Sequence, residues 1–218
     1  MRKMVVNSLA IFLTVNNSIA QNTAYGIQGG LVISNISCNA ETSHGHTTYL
    51  TGFSGGVYTD LQFSGHLSFQ PGLNFTTKGG YEKTSDTIGE LRIRTRTNYI
   101  EFPFNLVYHF KEKQSGFFTG VGLSLAFGLT GKIDYDCKEN SNVCTDRSEK
   151  VKYGLSETDH FKSLDCGLNM IAGYGFRCGV TMNVTYCLGL ANIATLEGLR
   201  KTNTYFALKI GFLLRQKH

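Results

Sequence analysis

The chain has no tryptophan, only two prolines among its 218 residues, and no long apolar run beyond residue 21. A membrane-crossing helix needs about 18 to 20 consecutive apolar residues, so helical spanning is excluded. A basic stripe interleaved with aromatics is also missing, which leaves nucleic-acid binding without support. No Gly-x-Ser-x-Gly, phosphate-binding glycine loop or His-Glu-x-x-His occurs, so no cofactor is expected and the chain reads as a non-enzyme. Charge is modest, 21 basic against 16 acidic residues with both signs mixed in the polar stretches. That is the ordinary look of a solvated surface.

What the chain does have is glycine, 25 residues, together with 15 phenylalanines and 11 tyrosines. Abundant glycine argues against a helical bundle, where each interior glycine is unfavourable relative to alanine. At the amino end, Arg2 and Lys3 precede an apolar stretch from Met4 to Val15, and Ser18-Ile19-Ala20 supplies small residues before Gln21. This three-part pattern predicts a secretory signal peptide over 1–20 and a single mature domain over 21–218.

Within 98–110, Ile100, Phe102, Phe104, Leu106, Tyr108 and Phe110 share one parity, while Glu101, Asn105 and His109 share the other. Successive side chains of a strand point to opposite faces, so the segment has one greasy and one polar face. The pattern recurs seven more times, near 25–34, 53–61, 66–75, 120–129, 164–176, 180–189 and 205–212. Connections after the second, fourth and sixth strands are short; those after the first, third, fifth and seventh are long, roughly 35–49, 77–97, 130–161 and 191–202. Short turns on one side and long loops on the other mark an up-and-down barrel of the outer membrane. The expected fold is therefore all-β: an eight-stranded antiparallel up-and-down transmembrane β-barrel, with both termini periplasmic and the greasy face toward lipid. A secreted lipocalin-like ligand-binding barrel would invert this, apolar inside and polar outside. It is the soluble alternative, disfavoured by the continuous aromatic parity and the polar loops.

Eight strands enclose room for side chains only. The inward parity carries Glu101, Asp165 and Lys209, and intramembrane charges need partners. These three are expected to be structural lumen residues, with Glu101 paired to Lys209 or to an arginine from 92–96. Pro71 and Pro103 fall mid-strand, where proline removes a ladder donor, and should mark a bulge or local irregularity.

Several pieces in order resemble the PorT-like outer-membrane β-barrel family of diderm bacteria. They are Gly26-Ile27-Gln28-Gly29-Gly30-Leu31, Gly52-Phe53 with Gly56-Val57-Tyr58, Gln70-Pro71-Gly72-Leu73, Gly173-Tyr174-Gly175-Phe176 and Gly189-Leu190-Ala191-Asn192-Ile193. The most specific is Asn98-Tyr99-Ile100-Glu101-Phe102-Pro103. The resemblance spans nearly all of 21–218 and implies an integral outer-membrane barrel, with some relatives tied to protein secretion and gliding. The chain departs from such barrels at its end, Phe212-Leu213-Leu214-Arg215-Gln216-Lys217-His218, where an aromatic terminal residue is common. Without tryptophan, the aromatic girdles fall to tyrosine and phenylalanine.

Further candidates remain beyond the lumen charges. Arg92, Arg94 and Arg96 alternate just before the fourth strand, and guanidinium groups suit the phosphates of lipopolysaccharide. Six cysteines in an oxidising compartment make Cys137 and Cys144 a candidate loop disulfide. Cys166 reads outward and Cys187 inward, so these two should not bond; Cys38 and Cys178 have no assigned partner. His44 and His46 supply only two of the four ligands of a structural metal site, so a solvated loop is expected there. The rival enzyme reading, action on lipid A or peptides, has only Ser156, Thr158, Asp159 and His160 to draw on. The preferred reading is a monomeric, non-enzymatic barrel in contact with outer-membrane lipid and lipopolysaccharide. Its external loops would meet a secretion or envelope partner.

Overall fold

A computed structural model describes residues 23–39, 46–86, 89–111, 115–138, 146–156, 158–196 and 198–215. Nine strands follow in chain order: β1 (Thr23–Asn39), β2 (His46–Gln62), β3 (Leu67–Asp86), β4 (Gly89–His109), β5 (Gly116–Lys138), β6 (Arg147–Lys150), β7 (Leu164–Gly175), β8 (Val180–Gly189) and β9 (Arg200–Arg215). Eight of them form a closed antiparallel wall. Sequence neighbours pair around it, β5 joins β7, and β1 closes the ring on β9 with Ala24 opposite Arg215. Closure leaves no sheet edge within the ring, which is what a strand needs where no water can satisfy its backbone.

The ninth strand, β6, is an addition to the expected eight. Among the described residues it pairs only with β5, at Lys132–Tyr135, above the stretch Gly116–Phe127 that pairs with β7. One edge of β5 therefore carries β7 below and β6 above. A second correction concerns the long connections. The segment 77–97, expected as a loop, is a hairpin laddered without a break from Thr76↔Tyr99 to Asp86↔Gly89. The apolar alternation stops there because the outer face has left lipid. The backbone ladder continues because hydrogen bonding does not depend on that alternation. At 23 residues, β5 is about twice the 9–11 residues that crossing requires.

The greasy parity points outward. Leu31, Phe53, Phe104, Val121, Leu123 and Leu208 are all among the exposed large apolar side chains. In water such a surface would be an aggregation liability; against acyl chains it is the solvated face. This is the inverse of a soluble ligand-binding barrel. The other parity is buried: Ser34, Asn74, Thr76, Glu101, Ser124 and Asn169 fill the interior.

Between β4 and β5 the register shifts by one, from Asn98↔Thr130 to Tyr99↔Gly128. Leu129 is the extra residue of this bulge, so odd positions of β5 face outward below it and even positions above it. Leu129 is 50% exposed, whereas Ile133 is 5% exposed. The prolines interrupt the ladder without shifting it. Paired positions are missing between Tyr58↔Gly72 and Leu61↔Phe69 on one edge of β3, and between Pro71↔Phe104 and Asn74↔Glu101 on the other. The expected irregularity is thus a local loss of rungs on both sides of residues 70–73.

Candidate functional site

The interior is stacked in three layers. At its middle, Ala126 of β5 lies opposite Glu101 of β4 on one side and Asp165 of β7 on the other. The small methyl between two carboxylates leaves room for a cation. Lys78 of β3 reaches across the barrel to fill it, with Nζ 3.6 Å from Glu101 Oε1 and 3.3 Å from Asp165 Oδ2. The rings of Tyr99 and Tyr205 each stand 5.1 Å from that ammonium, in the range of cation–π attraction. Tyr205 donates its hydroxyl to Glu101 Oε1 at 3.0 Å, and Asn203 Nδ2 donates to Asp165 Oδ2 at 3.0 Å.

Glu101, Asp165 and Lys209 all point inward and are buried. The cation that holds Glu101, however, is Lys78 and not Lys209 or an arginine. Arg92, Arg94 and Arg96 lie on the outward parity of β4, and Lys209 forms no ion pair with a described carboxylate. Removing the Tyr205 hydroxyl leaves Glu101 with one charge-assisted bond fewer. Tyr205→Phe should therefore lower stability by about 1.5–3 kcal/mol, measured as a shifted urea midpoint of the refolded barrel.

Toward the end carrying the long loops, the barrel is closed by an apolar cap. Ile36, Ile133, Val151, Phe161 and Ile193 are buried together, with Ile93, Tyr135 and Tyr153 packed against them. Tyr153 meets Tyr99 edge-on at 6.1 Å, so the cap sits directly on the ionic layer. Burial pushes the Tyr153 phenol well above its ordinary range. Two loops latch over the cap: Thr195 Oγ1 donates to the Asp159 carbonyl at 2.6 Å and Lys162 N donates to the Ile193 carbonyl at 2.9 Å.

Toward the short-turn end lies a cavity of about 40 Å³, lined by Gln28, Tyr58, Asp60, Asn74, His109 and Lys209 among others. At about 10–15 Å³ per water, it holds a few water molecules and nothing larger than a small ion. His109 Nε2 sits 3.0 Å from Ser68 Oγ and 3.9 Å from Asp60 Oδ2.

The outer wall above the lipid band is a second candidate surface. Across β4 and β5, Arg92 faces Asp136, Arg94 faces Asp134, and Arg96 faces Lys132. Arg94 also lies 5.6 Å over the Tyr81 ring. Lys132 Nζ approaches Asp134 Oδ1 to 2.7 Å, and Ser148 donates to the same oxygen at 2.9 Å. The hydrogen bond from Lys132 is the main reason the Asp134 carboxyl sits below its ordinary range.

The residues of the enzyme reading are not brought into a catalytic relay. His160 Nδ1 accepts from the Lys152 N–H at 3.0 Å, and its Nε2 faces Glu149 at 3.5 Å. The hydroxyls of Ser156 and Thr158 bond to each other at 3.1 Å, and Asp159 accepts from the Ser156 N–H at 3.1 Å. Cys166, Cys178 and Cys187 are free thiols, with Cys187 buried at 3.7 Å from Ser124 Oγ. Cys144 and His44, and the side chains of Cys137, Cys38 and His46, lie outside the described residues, so the loop disulfide and the histidine pair have no structural account.

The outer membrane protein beta-barrel domain family matches residues 19–195. Among solved structures the chain is similar to Ail, the attachment invasion locus protein of Yersinia pestis, crystallised with the heparin analogue sucrose octasulfate. Identity is 13% over 88% of this chain and 99% of that one, with a TM-score of 0.41. It is also similar to the outer membrane protein OprG of Pseudomonas aeruginosa, at 12% identity over 88% and 96% of the two chains and a TM-score of 0.45. Neisserial surface protein A matches at 11% identity over 88% and 97%, with a TM-score of 0.39. No curated protein matches the chain.

Proposed function

Since the chain belongs to the outer membrane protein beta-barrel domain family, and so to the bacterial cell outer membrane, we propose that its work is done on the outside of the barrel and not through it. The observation that carries this is the stacked interior. A buried lysine–carboxylate layer lies beneath an apolar cap and above a cavity of about 40 Å³ at the short-turn end. Glu101, Asp165 and Lys209 then serve as structural lumen residues, and the barrel is a non-enzymatic anchor.

In this reading residues 1–20 are a signal peptide, and 21–218 form one monomeric barrel with both termini and the short turns in the periplasm. The tall walls of β3, β4 and β5 stand outside the cell, where Arg92, Arg94 and Arg96 meet lipopolysaccharide. The family pieces around Asn98–Pro103 support a PorT-like member whose external face serves a secretion or envelope partner. A Cys137–Cys144 disulfide would staple the third external loop.

Leu155 and Leu196 are 85% and 53% exposed on the capping loops, and are the apolar contacts such a partner would cover. In a deletion strain with a secretion or envelope defect, Leu155→Asp/Leu196→Asp should assemble normally and fail to complement. Tyr205→Phe, altered only inside the barrel, should complement. The reverse outcome would place the activity in the lumen.

A further inference from the structure

The charged outer wall is not uniform, and its register separates the three arginines. Arg92 and Arg94 stand opposite Asp136 and Asp134, so each has an acid across the ladder. Arg96 stands opposite Lys132, which in turn stands opposite Lys150 of β6. Three cations therefore occupy one row across three adjacent strands, about 5 Å apart from strand to strand. All three are on exposed outward positions, Lys132 with 61% of its side chain open. Like charges directly opposite one another destabilise a sheet unless something anionic lies between them. Lys132 pairs with Asp134, which also accepts from Ser148, while Arg96 and Lys150 form no ion pair among the described residues.

Height identifies what that anion is. On β4 the next outward residues below Arg96 are Asn98, bonded to Thr130 of β5 at 3.1 Å, and then Ile100 and Phe102 of the apolar band. On β5 the band ends at Phe127 and Leu129, which are 47% and 50% exposed. Four residues of tilted strand lift Arg96 about 10 Å above Ile100, where headgroups rather than acyl chains lie. The bulge at Leu129 is what puts Lys132 on the outer face at all; without it, position 132 would point into the barrel. β6 has no place in the closed ring, yet it extends the row by one lysine.

We propose that Arg96, Lys132 and Lys150 form a phosphate-binding row for a phosphorylated glycolipid of the outer leaflet, with its acyl chains against Ile100, Phe127 and Leu129. Arg92 and Arg94 stand above it, each opposite an aspartate across the ladder. The proposal rests on the outer-membrane orientation given under the proposed function, and narrows its arginine contacts to one plus two lysines. Planar guanidinium and compact ammonium groups together suit a phosphate monoester approached from one side.

Native mass spectrometry of the folded barrel, titrated with bisphosphorylated lipid A, tests it. The R96Q/K132Q/K150Q variant should bind about a hundredfold more weakly than wild type, at roughly fivefold per cation. R92Q/R94Q, which leaves all three cations of the row in place, should stay within about threefold of wild type. Dephosphorylated lipid A should bind wild type as poorly as the triple variant binds the parent lipid, and inorganic phosphate at equal concentration should not compete. Equal binding by the triple variant, an equal loss in R92Q/R94Q, or full competition by inorganic phosphate each overturns the proposal. Heat-modifiable migration confirms that every variant is folded. Loss of lipid binding leaves the closed-lumen reading intact, and a conducting lumen would leave the lipid row intact.

Discussion

Lys78→Met should lower the unfolding temperature of the refolded barrel by roughly 6–20 °C, the equivalent of about 3–5 kcal/mol. The reason is that one ammonium serves two carboxylates. Among the described residues Lys78 alone stands within ion-pair distance of both Glu101 and Asp165, and each carboxylate has an oxygen, Oε2 and Oδ1, without a hydrogen-bond partner there. Without the lysine, two buried negative charges face each other across Ala126 in a medium that solvates neither. Lys209→Met removes an equally buried cation that forms no direct pair, and should shift the same transition by a few degrees only. Neutralising the whole layer, Lys78→Met with Glu101→Gln and Asp165→Asn, should recover much of the loss, because the cost lies in unpaired charge. Melting by circular dichroism or differential scanning fluorimetry decides it. A Lys78→Met barrel that melts with wild type contradicts the ionic layer.

Two adjacent glycines give opposite expectations. A methyl on Gly30 would sit 1.9 Å from the Leu208 carbonyl oxygen and 2.7 Å from the Lys209 Cα. Both are backbone atoms of β9, at the seam where the first strand closes the ring on the last, with Gly30 opposite Lys209. Nothing there yields cheaply, and overpacking against backbone costs about 1–3 kcal/mol or more. Gly30→Ala should therefore fail to give the compact, heat-modifiable form. The corresponding atom on Gly29 would lie 3.8 Å from its nearest neighbour, ordinary contact distance. Gly29→Ala should assemble as wild type, or melt slightly higher because alanine restricts the unfolded chain. Equal behaviour of the two variants in either direction would contradict the β1–β9 seam.

Lipid makes the outer face legible in the sequence. It demands an apolar side chain at every second position, and Phe102 through Phe110 or Leu123 through Leu129 satisfy that demand without reference to the rest of the fold. The short turns and the inward places of Glu101, Asp165 and Lys209 follow from the same parity. Above the band the demand ends, so 77–97 reads as loop although it is paired to its turn. The Leu129 bulge is equally silent, since a glycine–leucine–threonine run carries no mark of a shifted register. Lys78 escaped because its partners depend on ring closure: Asp165 is 87 residues away in sequence and meets it only across the lumen. The cap left a fainter trace. Ile36, Ile93 and Ile133 are apolar residues on the inward parity at the tops of three strands, and that misplaced greasiness was the available signal.

Single-channel recording of the purified monomer in a planar bilayer tests the central claim most directly, that the lumen is a packed interior and the function lies outside. A barrel filled by the Lys78 layer and closed by the Ile36–Ile193 cap should incorporate without stable openings. Sustained, porin-sized conductance from the wild-type monomer would contradict it.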